Sequence, residues 1–297
     1  MVKTNTRGLI SIAIVAILTI ASLAGAMILL KKDPYIIDDL GREIIFDNPP
    51  ERIISLGPSF TEVIIALGGN GRLIGVDHLS ASVEGVPEDA RVLGPGPVSG
   101  ISNEDIVDLE PDCVLIWGYY TSKINFLEEC GITVLALNPA SVQDTFKMIE
   151  NFGVMLNSDP SHLINDMSSR MDKVKNKVQD ISKDQRIRVY LELGSSNNMG
   201  KTVNADTLSS DIIEMAGGIN VFASNEESYS KMDREAIVGS NPQVVIVEES
   251  SIHGNDHFHG IVDEDHIYRL DTGLLTTSPK LVDALEQIAK WLYPDLF

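Results

Sequence analysis

The tract Trp117-Gly118-Tyr119-Tyr120 stands directly after the apolar run Cys113-Val114-Leu115-Ile116, where a strand would hand over to a loop. Three large aromatics this close together, in a chain that is only 6% aromatic, suggest a stacking surface. Flat rings give broad apolar contact, while the phenol hydroxyls and the indole N–H can orient a bound molecule. The plainer role for Trp117 is to fill core between sheet and helix. Pro58-Ser59-Phe60 follows another apolar run and offers a hydroxyl beside a ring, and Ser196 and Tyr229 occupy loops in the second half of the chain. His253, His257 and His259 lie beside Asp256, and four of the six histidines, counting His266, fall within fourteen residues. Imidazoles so spaced can bind a transition metal directly or cap the iron of a bound macrocycle; a solvated loop that coordinates nothing is the alternative.

Glu104 and Glu235 sit at first-turn positions of two short helical patterns, where a carboxylate ordinarily stabilises the helix macrodipole by about 0.3–1 kcal/mol. As a matched pair they have a second use. One acid at each end of a two-part face suits docking onto basic pockets of a symmetric partner.

Catalytic signatures are weak by comparison. Gly194-Ser195-Ser196-Asn197-Asn198-Met199-Gly200-Lys201-Thr202 has the flavour of a phosphate-binding loop, but its spacing is too loose and no helical pattern resumes before about Ser209. Gly69-Asn70-Gly71 follows a helix rather than a strand, the wrong side for a dinucleotide turn. No Gly-x-Ser-x-Gly elbow or His-Glu-x-x-His pair occurs.

The elements that must position these residues alternate. A hairpin is expected over Ile36-Ile37 and Ile44-Ile45-Phe46. Beyond it, strands at 53–56, 73–76, 114–117 and 134–137 interleave with helices at 61–67, 104–109, 124–130 and 142–156, the pattern of a parallel sheet with helices on both faces. A regular apolar spacing from Leu163 to Ile181, capped at Ser158-Asp159-Pro160, predicts a long helix of about 22 residues. A second series follows, with strands at 188–193, 244–247 and 267–270 and helices at 210–216, 234–239 and 280–292. The two halves echo each other. At an offset of 131 residues, Ser102-Asn103-Glu104-Asp105-Ile106-Val107 with Pro111 and Val114 matches Asp233-Arg234-Glu235-Ala236-Ile237-Val238 with Pro242 and Val245. Leu56-Gly57-Pro58-Ser59 likewise resembles Leu193-Gly194-Ser195-Ser196. The expected fold is therefore α/β, with two Rossmann-like lobes over 33–157 and 184–297 joined by a rigid bridging helix over 158–183.

Residues 1–32 form a separate segment. Lys3 and Arg7 precede Leu9–Leu30, twenty-two residues without a charge, closed by Lys31 and Lys32. As a helix this would be roughly 33 Å long and could cross a bilayer. Ala24-Gly25-Ala26 offers a cleavage site, yet the apolar run continues past it, which favours an uncleaved anchor over a removed signal. Either outcome places the rest of the chain outside the cytoplasm. Beyond residue 32 the chain carries 43 acidic against 19 basic residues, a net charge of −24 that repels nucleic acid. Of two cysteines, Cys113 opens a strand and Cys130 ends the next helix. A disulfide is geometrically possible in such a unit, although two small buried thiols are the expectation.

Taken in order, these phrases resemble the extracytoplasmic substrate-binding proteins of ABC importers for iron chelates and cobalamin. Carrying the likeness are Asp39-Leu40-Gly41-Arg42-Glu43, Glu51-Arg52-Ile53-Ile54-Ser55-Leu56, Ser59-Phe60-Thr61-Glu62, Asn103-Glu104-Asp105-Ile106 and Leu109-Glu110-Pro111-Asp112. Ala216-Gly217-Gly218-Ile219-Asn220-Val221, Arg234-Glu235 and Ser278-Pro279-Lys280-Leu281-Val282-Asp283 continue it. The resemblance implies a monomer of two lobes bridged by one long helix, with the ligand held between them and little hinge closure. It also implies that Glu104 and Glu235 are docking acids that meet arginines on a permease dimer coupled to its ATPase. In some haem-binding members an axial histidine falls near His253-Gly254. Many bacterial members carry a lipid-attachment cysteine where this sequence has Ala26, so a membrane helix fits better here.

On this reading the chain is not an enzyme and has no intrinsic cofactor. It carries a metal chelate: an iron siderophore, haem or a corrinoid. Trp117, Phe60, Tyr119, Tyr120 and Tyr229 are expected on the ligand's faces, Ser59 and Ser196 at its edges, and His253 at its metal. Direct binding of a metal ion by His253, His257 and His259 is the second expectation, and a surface-anchored hydrolase the third.

Overall fold

The computed structural model describes residues 35–194, 200–249, 251 and 254–297. A short antiparallel hairpin comes first, with β1 (Tyr35–Ile37) paired to β2 (Glu43–Ile45). Its turn is fixed by Asp38, a buried carboxylate that accepts the Leu40 and Arg42 N–H groups at 3.0 and 2.9 Å. Gly41, at φ 76°, completes a turn that a side chain would strain.

The first lobe runs β3 (Ile53–Leu56), α1 (Pro58–Ala66), β4 (Leu73–Asp77), β5 (Arg91–Leu93), α2 (Asn103–Val107), β6 (Cys113–Trp117), α3 (Thr121–Glu129), β7 (Thr133–Leu137) and α4 (Val142–Leu156). Its five strands form one parallel sheet in the order β5-β4-β3-β6-β7. Side chains alternate between two apolar faces. Ile53 and Leu115 join one buried cluster, Ile54, Val114 and Ile116 another, as the period of two requires of a strand covered on both sides. α4 begins at a capping box, in which Ser141 Oγ accepts the Asp144 N–H at 3.1 Å and Asp144 Oδ2 accepts the Ser141 N–H at 3.1 Å.

α5 (Ser161–Val178) then crosses to the second lobe. It has 18 residues, shorter than the apolar spacing suggested. Asp159 rather than Ser158 serves its start, accepting the Ser161 N–H at 2.9 Å, while Ser158 Oγ is buried without a partner among the described residues. Past Val178 the backbone tightens, the Ile181 N–H reaching back only three residues to the Val178 carbonyl, so Ile181 falls outside the helix.

The second lobe comprises β8 (Arg188–Glu192), β9 (Lys201–Val203), α6 (Leu208–Met215), β10 (Ile219–Asn220), β11 (Tyr229–Lys231), α7 (Arg234–Gly239), β12 (Val244–Glu248), β13 (Ile267–Leu270) and α8 (Leu281–Leu292). β10-β8-β12-β13 make a parallel sheet, and β9 and β11 a separate antiparallel pair. Tyr229 therefore stands on a strand, a correction to its expected loop position. A run of two or three residues is too short for its period to show in sequence.

The lobes are not separate in their interiors. One buried cluster runs from Ile53 and Phe152 in the first lobe, through Met167 and Val174 of α5, to Ile212 and Leu285 in the second. Truncating a side chain such as Phe152, which has no exposed surface, would cost about 3–5 kcal/mol. Arg170 of α5 also clasps α8, donating to Glu286 at 3.0 and 2.7 Å and to Asp283 at 2.5 Å.

Cys113 and Cys130 are free thiols. Cys113 is buried as expected, and burial pushes its thiol far up from its ordinary range. Cys130 is exposed, because the C-terminus of α3 turns it outward past the last apolar contact. Among the described residues no helix is long and apolar enough to cross a membrane; the apolar run Leu9–Leu30 lies outside them.

Candidate functional site

The carboxyl ends of the first sheet's strands meet the second lobe at a cleft of about 450 Å³. Trp117, the last residue of β6, and Ser59, in the first turn of α1, come from one side. Thr207, Ser209, Tyr229 and Thr276 come from the other. Ligands of open α/β sheets bind in this kind of crevice, outside the carboxyl ends of strands.

Trp117 is the best-supported of these side chains. Phe60 packs against it with ring centres 4.7 Å apart, and Tyr119 stacks on it at 6.0 Å with an interplanar angle of 19°. Gly57 makes room for the indole, since a Cβ there would lie 3.0 Å from Trp117 Nε1 and 2.9 Å from the Phe60 ring. Behind Trp117, Gly118 N–H donates to Asn138 Oδ1 at 3.1 Å and fixes the turn that aims the aromatic tract. A Cβ on Gly118 would lie 2.4 Å from the Asn138 amide nitrogen, so a larger residue would displace the amide that holds this turn.

The structure thus sorts the expected binding residues. Ser59, Trp117 and Tyr229 line one cleft. Phe60 has no exposed surface, and its ring backs Trp117 instead of facing a ligand, a correction that follows from its place on the inner side of α1. Tyr119 is largely exposed beside the cleft, whereas it and Tyr120 line a neighbouring hollow of about 360 Å³ with Asn103 and Lys123. Partial desolvation by the surrounding residues, then the adjacent Tyr120, pushes the Tyr119 phenol up to about 12, so it stays neutral at physiological pH. Ser196 and His253 lie outside the described residues.

His257 and His259 are not brought to the cleft lining. The His257 ring packs edge-on to Phe258 at 4.9 Å, and the His257 and His259 carbonyls both accept from the Arg234 guanidinium at 2.5 Å. Among the described residues no group of three His, Cys, Asp or Glu side chains is placed to hold a metal ion.

Several lining residues give little sign in the sequence. Thr207 caps α6, accepting the Ser210 N–H, and Thr276 bonds to Ser278 at 3.0 Å. Asp206 enters the cleft at the end of the turn in which its N–H donates to Asn204 Oδ1 at 2.9 Å. A run of Ser and Thr reads as loop in any sequence. Its only signal here is the hydroxyl-rich stretch Thr276-Thr277-Ser278.

Below the cleft the lobes are tied by Lys280, whose ammonium lies 2.6 Å from Glu62 Oε1. The second Glu62 oxygen is buried with no partner among the described residues. Asp211 of α6 accepts the Val142 N–H of α4 across the same seam at 3.4 Å. Burial raises the Asp211 carboxyl above its usual range against the lowering effect of that bond.

The two short helices bearing Glu104 and Glu235 are built alike. Ser102 accepts from the Glu104 and Asp105 N–H groups, and Asp233 from that of Ala236 at 2.8 Å. Each helix is followed within three residues by one of positive φ, Glu110 at 46° and Asn241 at 48°, which precedes a proline. Ser102 Oγ donates to Glu104 Oε2 at 2.5 Å, and this bond holds the Glu104 carboxyl below its ordinary range. Both glutamates are exposed.

Comparison with known proteins agrees with this architecture. A family model for the periplasmic binding protein matches residues 53–268. An uncharacterized ABC transporter substrate-binding lipoprotein, YvrC of Bacillus subtilis, is 28% identical over 279 residues, covering 89% of this chain and 87% of its own. The vitamin B12-binding protein of Vibrio vulnificus is 26% identical over 254 residues, covering 82% and 90%. Among solved structures, the periplasmic heme-binding protein RhuT from Roseiflexus superposes with a TM-score of 0.68 at 20% identity, over 83% of this chain and all but 1% of that one (99% covered), a likeness of fold. With two α/β lobes, a cleft at their carboxyl ends and this match over most of its length, the chain belongs to the periplasmic binding protein family, as a non-enzymatic substrate-binding protein of an ABC importer.

Proposed function

We propose that the chain captures a metal chelate (an iron siderophore, haem or a corrinoid) in the cleft between its lobes and delivers it to an ABC permease dimer coupled to an ATPase. The observation that carries this reading is the position of Trp117, a half-buried indole at the mouth of a 450 Å³ cleft, backed by one ring and stacked on another. Such a surface suits a broad, partly apolar ligand whose edge carries hydrogen-bonding groups. The names of the relatives support the class, since vitamin B12 and haem are both flat metal macrocycles. Trp117, Tyr119 and Tyr229 contact the ligand's faces, Ser59 and Ser196 its edges, and His253 its metal.

On this reading Leu9–Leu30 anchors the protein to the outer face of the membrane, 33–157 and 184–297 grip the ligand, and 158–183 holds the lobes at fixed separation. Glu104 and Glu235 engage the permease. Calorimetric titration of the full chain with corrinoid, haem and ferric siderophores tests the cleft: Trp117→Ala should weaken the bound ligand at least about tenfold. Undiminished affinity in that variant would reject the assignment.

A further inference from the structure

Resting on the proposed cleft, we infer that this site selects amide-decorated chelates of zero or positive net charge, corrinoids or hydroxamate siderophores, and that Asp206 reads the positive charge. Among the described residues the lining holds one charged side chain, Asp206, and neither Lys nor Arg. Hydroxyls dominate its polar surface, from Ser59, Thr207, Ser209, Ser228, Thr276 and Thr277. Thr207 and Thr276 donate to the Asn204 and Gly273 carbonyls and keep only acceptor capacity, while the hydroxyls of Ser59, Ser209, Ser228 and Thr277 can donate or accept as a ligand's amide rim requires, and none of the six neutralises a carboxylate or catecholate.

Two lysines outside the lining are committed. Lys280 is held by Glu62, and Lys123 donates to the Ile101 carbonyl and Asn103 Oδ1 at 2.6 and 2.7 Å. Lys201 lies over the Tyr229 ring, 4.9 Å from its centre, and so stands beside a lining residue. Residues 195–199, 250, 252 and 253, which lie outside the described residues, include no Lys or Arg. Acids, by contrast, are plentiful around the cleft, with Asp211 at its seam and Glu226 and Glu227 just before β11. A polyanionic chelate entering here meets the Asp206 carboxylate on a described lining that has no Lys or Arg of its own, with Lys201 lying against the Tyr229 ring, whereas a cation gains from Asp206.

Calorimetry on the full chain at low salt tests this with cyanocobalamin and ferrichrome as neutral probes. Cyanocobinamide and ferrioxamine B serve as cations, and haemin and ferric enterobactin as anions. A neutral or cationic probe should bind at least about tenfold more tightly than either anion. Asp206→Asn should lower the ratio of cation to neutral affinity roughly three- to fivefold, an effect that fades as salt is raised. An anion that binds as tightly as the best neutral probe, and loses that affinity in Trp117→Ala, overturns the charge selection while leaving the cleft in place. An unchanged ratio in Asp206→Asn overturns the role of that residue. Failure of every probe to bind overturns both the cleft reading and this one.

Discussion

Arg52 and Arg188 make the same pair of hydrogen bonds in the two lobes. Arg52 donates to the Glu110 and Leu109 carbonyls at 2.9 and 2.6 Å, where α2 ends, and Arg188 to the Asn241 and Ser240 carbonyls at 3.1 and 2.5 Å, where α7 ends. Their backbone N–H groups are matched as well, Arg52 bonding to Asp112 Oδ1 and Arg188 to Gln243 Oε1, each at 3.0 Å. The acceptors stand at the 131-residue offset seen in the sequence, so the echo between the halves extends to how each short helix is fastened to its sheet. Charge-assisted bonds to otherwise open helix carbonyls are worth about 1.5–3 kcal/mol when buried and less at the surface. Arg52→Ala and Arg188→Ala should each lower stability by about 1–2 kcal/mol in urea unfolding. A midpoint that does not move would show the fastening to be idle.

Because those two helices carry Glu104 and Glu235, reversing both charges should separate capture from delivery. Glu104→Arg with Glu235→Arg is expected to leave chelate affinity within about twofold and to reduce uptake by cells at least about tenfold. Normal uptake by the double variant would remove these residues from the docking face.

Glu62 and Lys280 offer a third measurement. With one carboxylate oxygen already buried and unpaired, removing the ammonium leaves the whole charge uncompensated. Lys280 is itself partly exposed, so Lys280→Met should cost about 1–2 kcal/mol rather than the larger figure for a fully buried pair. Adding Glu62→Gln should recover part of that loss. Additive losses in a double-mutant cycle would mean the pair is not coupled.

The clasp between α5 and α8 should show in the pH dependence of stability. Hydrogen bonding to Arg170 holds the Glu286 carboxyl below its ordinary range. A depressed carboxylate contributes stability that is present above its unfolded value, near 4.3, and is lost as pH falls through the folded value. Glu286→Gln is therefore expected to cost about 1 kcal/mol or less at neutral pH, given its partial exposure, and progressively less below about pH 4. A difference that stays constant down to acid would exclude the ion pair as its source.

Much of the scaffold was legible because its signals are local. Strand Ile53–Leu56, helices Val142–Leu156 and Arg234–Gly239 and strand Ile267–Leu270 begin and end where apolar period, caps and prolines place them. Trp117 was legible too, as a large ring at the carboxyl end of a strand. What escaped depends on long-range contact. The burial of Phe60 is decided by which side of α1 meets the sheet, and Asp206, Thr207 and Thr276 converge only through the folding of the second lobe and face Trp117 only once the lobes are apposed. The partnership of β9 with β11 links residues about 28 apart in chain number, such as Lys201 with Lys231 and Thr202 with Ser230, through strands of three residues each, too short for any period to register.

If the proposed delivery holds, the unbroken apolar interior beneath the cleft limits how an importer can tell a loaded receptor from an empty one. On the proposed reading, with both sides rooted in the same packed mass, vacant and laden molecules should offer nearly the same profile to a permease, and vacant ones should compete for it. Transport should then slow when receptors outnumber importers and ligand is scarce.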